Sequence, residues 1–73
     1  MYRRIRELRE DKGLPQKELA AFLNCTQVAY SRYELGTRDI LTDVLIKLAE
    51  YHNVSVDFML GLTDVQQPYP RLK

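Results

Sequence analysis

Apolar and polar positions follow a helical rather than a strand-like period along the chain. In the first segment, about Tyr2 to Lys12, Ile5 and Leu8 share one stripe and Arg and Glu fill the rest; Gly13 follows where a left-handed terminator is expected. Leu14-Pro15 starts a second helix, where a first-turn proline gives up an N–H that has no partner there anyway. Leu19, Ala20 and Leu23 form its inner face, and Asn24, which tolerates left-handed backbone, ends it. Thr26 is placed to cap a third helix running to about Leu35, closed by Gly36. Thr42 is placed to cap a fourth, in which Leu45, Leu48, Ala49 and His52 recur at helical spacing with Val44 and Tyr51 beside them. Asn53 ends it as Asn24 ends the second, and Ser55 can cap a fifth, Val56 to Leu60, before Gly61. No alternating run is long enough for a sheet. The pattern predicts an all-α domain over 1–62 and an extended or frayed tail over 63–73, where prolines interrupt a stretch without apolar period.

At 73 residues the chain closes one small core, and 45% hydrophobic with 29% charged residues is ordinary for a globular domain. No run approaches the roughly 18 apolar residues of a membrane span, and the opening MYRRIREL is too charged for a signal peptide, so a soluble, cytoplasmic protein is expected. A single cysteine, Cys25, and a single histidine, His52, cannot supply a disulfide or a structural zinc set, and both read as packing residues. With no His/Cys/Asp constellation and no glycine-rich phosphate loop, no enzyme, no catalytic residue, no metal and no cofactor are expected.

Charge changes the picture once it is divided. Residues 1–38 hold eight Lys and Arg against five Asp and Glu, whereas 39–73 hold three against five. The basic half contains the third helix. At about 100° per residue, with Gln27 at zero, Ser31 falls near about 40°, Val28 near about 100° and Arg32 near about 140°, opposite Tyr30 and Tyr33. Tyr30, Tyr33 and Ala29 are then the inward side, and Gln27, Val28, Ser31 and Arg32 the outward one. A solvated face would favour Lys, Glu and Ala. In a DNA major groove, by contrast, Gln can pair with adenine, Arg can fork onto guanine, and an aliphatic group can pack on a thymine methyl. Composition alone leaves a merely exposed, mixed surface equally open.

Spacing adds to this. A helix of about eight residues, a turn at Asn24-Cys25 and a second helix with the small Ala20 facing the bend form a helix-turn-helix arrangement. From roughly Ile5 to Gly61 the sequence resembles the lambdoid-phage repressor and Cro family of XRE-type helix-turn-helix regulators. That family's pattern runs L-R-x-x-x-G-L-x-Q-x-x-L-A, then S-R-Y-E-x-G, then N-V-S-x-D-x-L-L-G, and here reads LREDKGLPQKELA, SRYELG and NVSVDFMLG.

The resemblance implies a five-helix repressor-like domain whose third helix enters the major groove, with Gln27, Val28 and Arg32 at base-reading positions and Ser31 between them near the DNA surface. It places Gln16, at the start of the second helix, on a phosphate and against the first glutamine of the reading helix, with the partial positive charge of that helix end beside it. Thr37 and Arg38 match a loop that contacts the sugar-phosphate backbone, and Lys17 is a further phosphate candidate or an ordinary surface lysine. Arg9 and Glu34 match a structural pair joining the first helix to the end of the third. The sequence departs from the pattern at Asn24 and Asn53, where glycine is common; at Leu41, where a proline is common, so that the fourth helix is expected to start earlier or its loop to be looser; and at Tyr30, whose ring needs space or a partner for its hydroxyl.

The implied function is sequence-specific double-stranded DNA binding by a transcriptional regulator of repressor type, acting as a homodimer on a near-palindrome. No effector pocket or small-molecule ligand is expected. Val54, Val56, Phe58, Met59 and Leu60 offer a dimer surface, with core packing expected of at least three. The competing reading is a protein-interaction module of the same shape, such as an antitoxin-like partner.

Overall fold

The computed structural model describes residues 2–70. Among them are five α-helices and no strand: α1 Arg3–Asp11, α2 Gln16–Phe22, α3 Gln27–Leu35, α4 Thr42–His52 and α5 Val56–Met59. The all-α, five-helix expectation is borne out.

Most helix ends obey the local chemistry of the chain. Thr26 accepts a hydrogen bond from the Ala29 N–H at 3.1 Å and Ser55 one from the Phe58 N–H at 3.0 Å, each satisfying a donor that the first helical turn leaves unpaired. Asn24 and Asn53 adopt left-handed backbone with φ of 57° and 56°, so asparagine does carry these turns in place of glycine. Two starts differ from expectation. Pro15 is extended, with φ −76° and ψ 156°, and stands at the cap position just outside α2. Leu41, equally extended, takes the cap position of α4 without a side-chain hydrogen bond, and Thr42 becomes the first helical residue. The fourth helix thus starts one residue earlier than a Thr42 cap would have it, and Leu41 takes the same extended cap conformation that Pro15 takes ahead of α2.

Ile5, Leu19, Tyr30, Leu48 and Met59, one from each helix, are fully buried and meet in a single core. Burial of such side chains contributes about 1.5–3 kcal/mol apiece before entropy is counted. Val54, Phe58 and Met59 are buried in that core, which removes them from the candidate dimer surface; Val56 and Leu60 remain partly exposed. His52 is buried too, and Cys25 packs partly against the core. α2 and α3 pack most heavily on each other, while α1 touches both α3 and α5.

The segment after α5 is non-helical but pinned. Ser55 donates its N–H to the Gln66 carbonyl at 2.9 Å, and its hydroxyl donates to the Val65 carbonyl at 3.3 Å. Tyr69 donates its hydroxyl to Asp57. Arg4 reaches the same region from α1: Nη1 donates to the Phe58 and Thr63 carbonyls, and Nη2 pairs with Asp64 at 2.8 Å. Its guanidinium lies over the Phe58 ring at 4.0 Å. The expected tail residues 71–73 lie outside the described residues.

Candidate nucleic-acid interface

The third helix, α3, is oriented from behind. Glu34, the sole acid on α3, is only 2% exposed and accepts from Arg9 Nε at 2.6 Å and Nη2 at 3.2 Å, a forked geometry that suits guanidinium to carboxylate. Arg9 Nη1 also donates to the Leu14 carbonyl at 2.7 Å, and Gln16 Nε2 donates to Glu34 Oε1 at 3.1 Å. One carboxylate therefore gathers α1, the α1–α2 loop, the start of α2 and α3. Burial pushes the Glu34 carboxyl upward, but the hydrogen bonds from Arg9 and Gln16 and the Arg9 charge outweigh it and hold the group below its ordinary range. The Tyr30 hydroxyl is buried beside this pair with no partner at hydrogen-bonding distance and angle among the described residues; burial, then the nearby carboxylate, push it above the ordinary phenol range.

This neutralisation has a consequence for the opposite side of α3. With its one acid turned inward and paired, the outward face carries no negative charge to repel phosphate. Gln27, Val28, Ser31 and Arg32 share that face, and with Gln16 they line one shallow groove of about 380 Å³. Gln27, Val28 and Arg32 are exposed and Ser31 is half-buried. Among the described residues none of these four side chains is held by a hydrogen bond or an ion pair with another part of the chain. Gln16 is shared between the two sides: Glu34 takes one of its amide N–H groups, which leaves the second N–H and the carbonyl for the groove. No hydrogen bond joins Gln16 to Gln27 among the described residues.

The phosphate candidates stand around this groove, not in it. Lys17 is exposed on the first turn of α2, next to Gln16. Thr37 is exposed, with its N–H bonded to the Arg32 carbonyl at 3.1 Å as the chain turns through Gly36 with φ 75°. Arg38 lies 5.7 Å from the Tyr33 ring centroid, a stacking that steadies its guanidinium beside the C-terminal end of α3. One residue joins the site that the sequence reading did not include. Leu35, 57% exposed, forms part of the groove wall, and its angular position on α3 is the signal that could have found it. Arg4 supports the fold from the far side of α1, through backbone carbonyls that no residue pattern announces.

A helix pair joined by a tight left-handed turn, with the second helix braced inward by a buried ion pair and offering unpaired polar groups outward, defines a helix-turn-helix domain. The chain belongs to the helix-turn-helix family, whose profile matches residues 5–59, and the XRE-type resemblance drawn from its motifs is borne out. It is similar to the HTH-type transcriptional regulator ImmR of Bacillus subtilis (strain 168), with 42% identity over 65 residues, 89% of this chain and 51% of that protein. It is also similar to two uncharacterized HTH-type transcriptional regulators of the same organism. YobD is 37% identical over 89% of this chain and 58% of its own length, and the SPbeta prophage-derived YonR is 36% identical over 86% and 58%. The chain thus spans about half the length of the curated relatives it matches. No solved structure matches it significantly. No helix among the described residues is long and apolar enough to cross a membrane.

Proposed function

We propose that the chain is a sequence-specific, double-stranded DNA-binding transcriptional regulator of repressor type that lays α3 in the major groove. The observation that carries this reading is the outward face of α3, where Gln27, Val28, Ser31 and Arg32 are unpaired among the described residues and line one groove with Gln16. Gln27, Val28 and Arg32 read base edges with Ser31 at the DNA surface, and Gln16, Lys17, Thr37 and Arg38 fix register on phosphates. The regulator-type names of the similar proteins support the same reading.

The chain works as a homodimer on a near-palindrome. Its extents of 32 × 25 × 24 Å let two copies lie side by side with reading helices about 34 Å apart, one turn of the duplex. Phosphate neutralisation supplies much of the affinity, which therefore falls as salt rises. The test is selection of bound duplexes from a random pool, repeated with Arg32→Ala. The variant is expected to relax the motif at one position of each half-site, by about 1–3 kcal/mol of discrimination; an enriched motif unaltered at every position removes Arg32 from the base-reading set. Measuring complex mass against protein concentration tests the dimer.

One observation favours the second reading, a helix-turn-helix module that seats a protein: Val28 and Leu35 expose apolar surface within the groove. Retention of no duplex at low salt would select it.

A further inference from the structure

Leu35 extends the groove in a direction the polar residues do not explain. On the scale that sets Gln27 at zero it falls near about 80°, between Ser31 and Val28, at the centre of the outward face. Val28 and Leu35 are 61% and 57% exposed, and both line the groove shared by Gln16, Gln27, Ser31 and Arg32. Isolated exposed leucines are ordinary on protein surfaces. Here two aliphatic side chains stand on one stripe, seven residues apart, among amides and a guanidinium. Leucine cannot hydrogen-bond a phosphate or a base edge. The apolar group that a duplex presents on the floor of the major groove is the thymine 5-methyl.

We propose that Leu35 and Val28 are a pair of thymine-methyl readers, so that the preferred duplex carries thymine at two positions about two base pairs apart in each half-site. Seven residues of helix rise about 10.5 Å, and because a helix laid along the groove runs obliquely to the duplex axis, that spacing covers about two base steps, as it does where helix residues about two turns apart contact the first and third of three successive bases. Leu35 belongs to the last turn of α3, so its contact requires that the whole helix follow the groove floor, not the N-terminal turn alone. The inference rests on the DNA-binding reading and adds to it both a specificity residue and a docking direction.

The test replaces each thymine of the selected duplex, one at a time, by deoxyuridine, which removes the methyl and leaves base pairing intact. Dissociation constants are measured with the native chain, Leu35→Ala and Val28→Ala. The native chain is expected to lose about fourfold in affinity at two positions about two pairs apart, one buried methyl each. Leu35→Ala is expected to abolish the sensitivity at one of the two and Val28→Ala at the other. Equal uracil sensitivity of Leu35→Ala and the native chain at every thymine overturns the proposal, and so does a selected duplex with no thymine at the second position. A Leu35→Ala effect confined to complex mass also overturns it, assigning the side chain to contact between copies. Because Leu35 is exposed, the substitution leaves the core intact, and the uracil series on the native chain stands without any variant. A duplex bound tightly but indifferent to uracil defeats the methyl pair alone, whereas failure to bind any duplex defeats the DNA reading itself.

Discussion

Two arginines of α1, five residues apart, do different work. Arg9 forks onto Glu34, whose side chain is 2% exposed, and the pair orients α3 from inside the molecule. Arg4 turns to the opposite end, where its side chain binds two backbone carbonyls and Asp64, a carboxylate that is 99% exposed. The first is a lock whose parts lie out of water, and each charge depends on the other for solvation. The second is a tether at the rim, where water can replace Asp64 but reaches the two carbonyls only in part. Residue type predicts neither outcome; the burial of the acceptor decides it.

The largest effect expected follows from the lock. Arg9→Ala leaves the Glu34 carboxylate buried without its counter-charge and is expected to cost about 3–5 kcal/mol. A chain of this size has a total stability of only about 4–11 kcal/mol, so that loss brings it near the unfolding threshold. Replacing both partners, as in Arg9→Met with Glu34→Leu, is expected to recover most of the loss, because no lone charge remains inside. Urea unfolding of the two variants beside the native chain checks this. A double variant as unstable as Arg9→Ala alone would mean that the bonds from Arg9 to the Leu14 carbonyl and from Gln16 to Glu34, not the stranded charge, hold the interior.

The same interior treats an unpaired charge differently, and pH reveals it. His52 is buried with neither ring nitrogen hydrogen-bonded among the described residues, and burial, then the Lys12 charge, lower its pKa from an ordinary 6.5 to about 4. A group whose folded pKa is depressed adds stability that is complete above its unfolded pKa and is lost as pH falls toward the folded one. Between pH 7.5 and pH 5 the native chain is therefore expected to lose about 2 kcal/mol, and His52→Leu is expected to flatten that slope. Glu34 does not confuse the measurement. Its pKa is also depressed, from 4.5, so its contribution is retained above that value and is lost only in more acid solution. An unchanged slope in His52→Leu would place the titrating group elsewhere.

The sequence revealed the two sides unequally. Helix ends were readable where a single residue performs a local act, as with the Thr26 and Ser55 caps or the left-handed Asn24 and Asn53. Pro15 and Thr42 stand one position from where the residue pattern puts them, because an extended cap residue needs no particular side chain and Pro15 and Leu41 supply the conformation alone. The Arg9–Glu34 pair was readable through the family motif, since both side chains belong to it. Arg4 was not, because its partners are backbone carbonyls 54 and 59 positions away, which carry no residue signature. Leu35 reads in the sequence as a helix terminus, although the rotation that places Arg32 outward places it there too.

The tether gives a smaller effect, and its parts can be ranked. Arg4→Ala removes charge-assisted hydrogen bonds to the Phe58 carbonyl at 2.9 Å and to the Thr63 carbonyl, together with the contact on the Phe58 ring. These groups are partly buried, so a loss of about 1–2 kcal/mol is expected. Faster amide exchange is expected at Ser55, whose N–H is bonded to the Gln66 carbonyl in the tethered segment, with the α3 amides unchanged at a fixed global stability.

Asp64→Ala removes only the exposed member of the same cluster. Its 2.8 Å ion pair with Arg4 has ideal length, yet the carboxylate is almost fully in water, where the gain on pairing nearly cancels against hydration. The expected change is below about 0.5 kcal/mol, and it shrinks further in high salt, where screening acts over a few ångströms. Unfolding midpoints of Asp64→Ala and Arg4→Ala at low and high salt separate the two contributions. If Asp64→Ala proved as costly as Arg4→Ala, the ion pair and not the carbonyls would hold the segment, and the burial of the acceptor would no longer distinguish lock from tether. If instead Arg4→Ala keeps its full cost in high salt while Asp64→Ala has none, the tether is a cap on the end of α5 that happens to carry a charge.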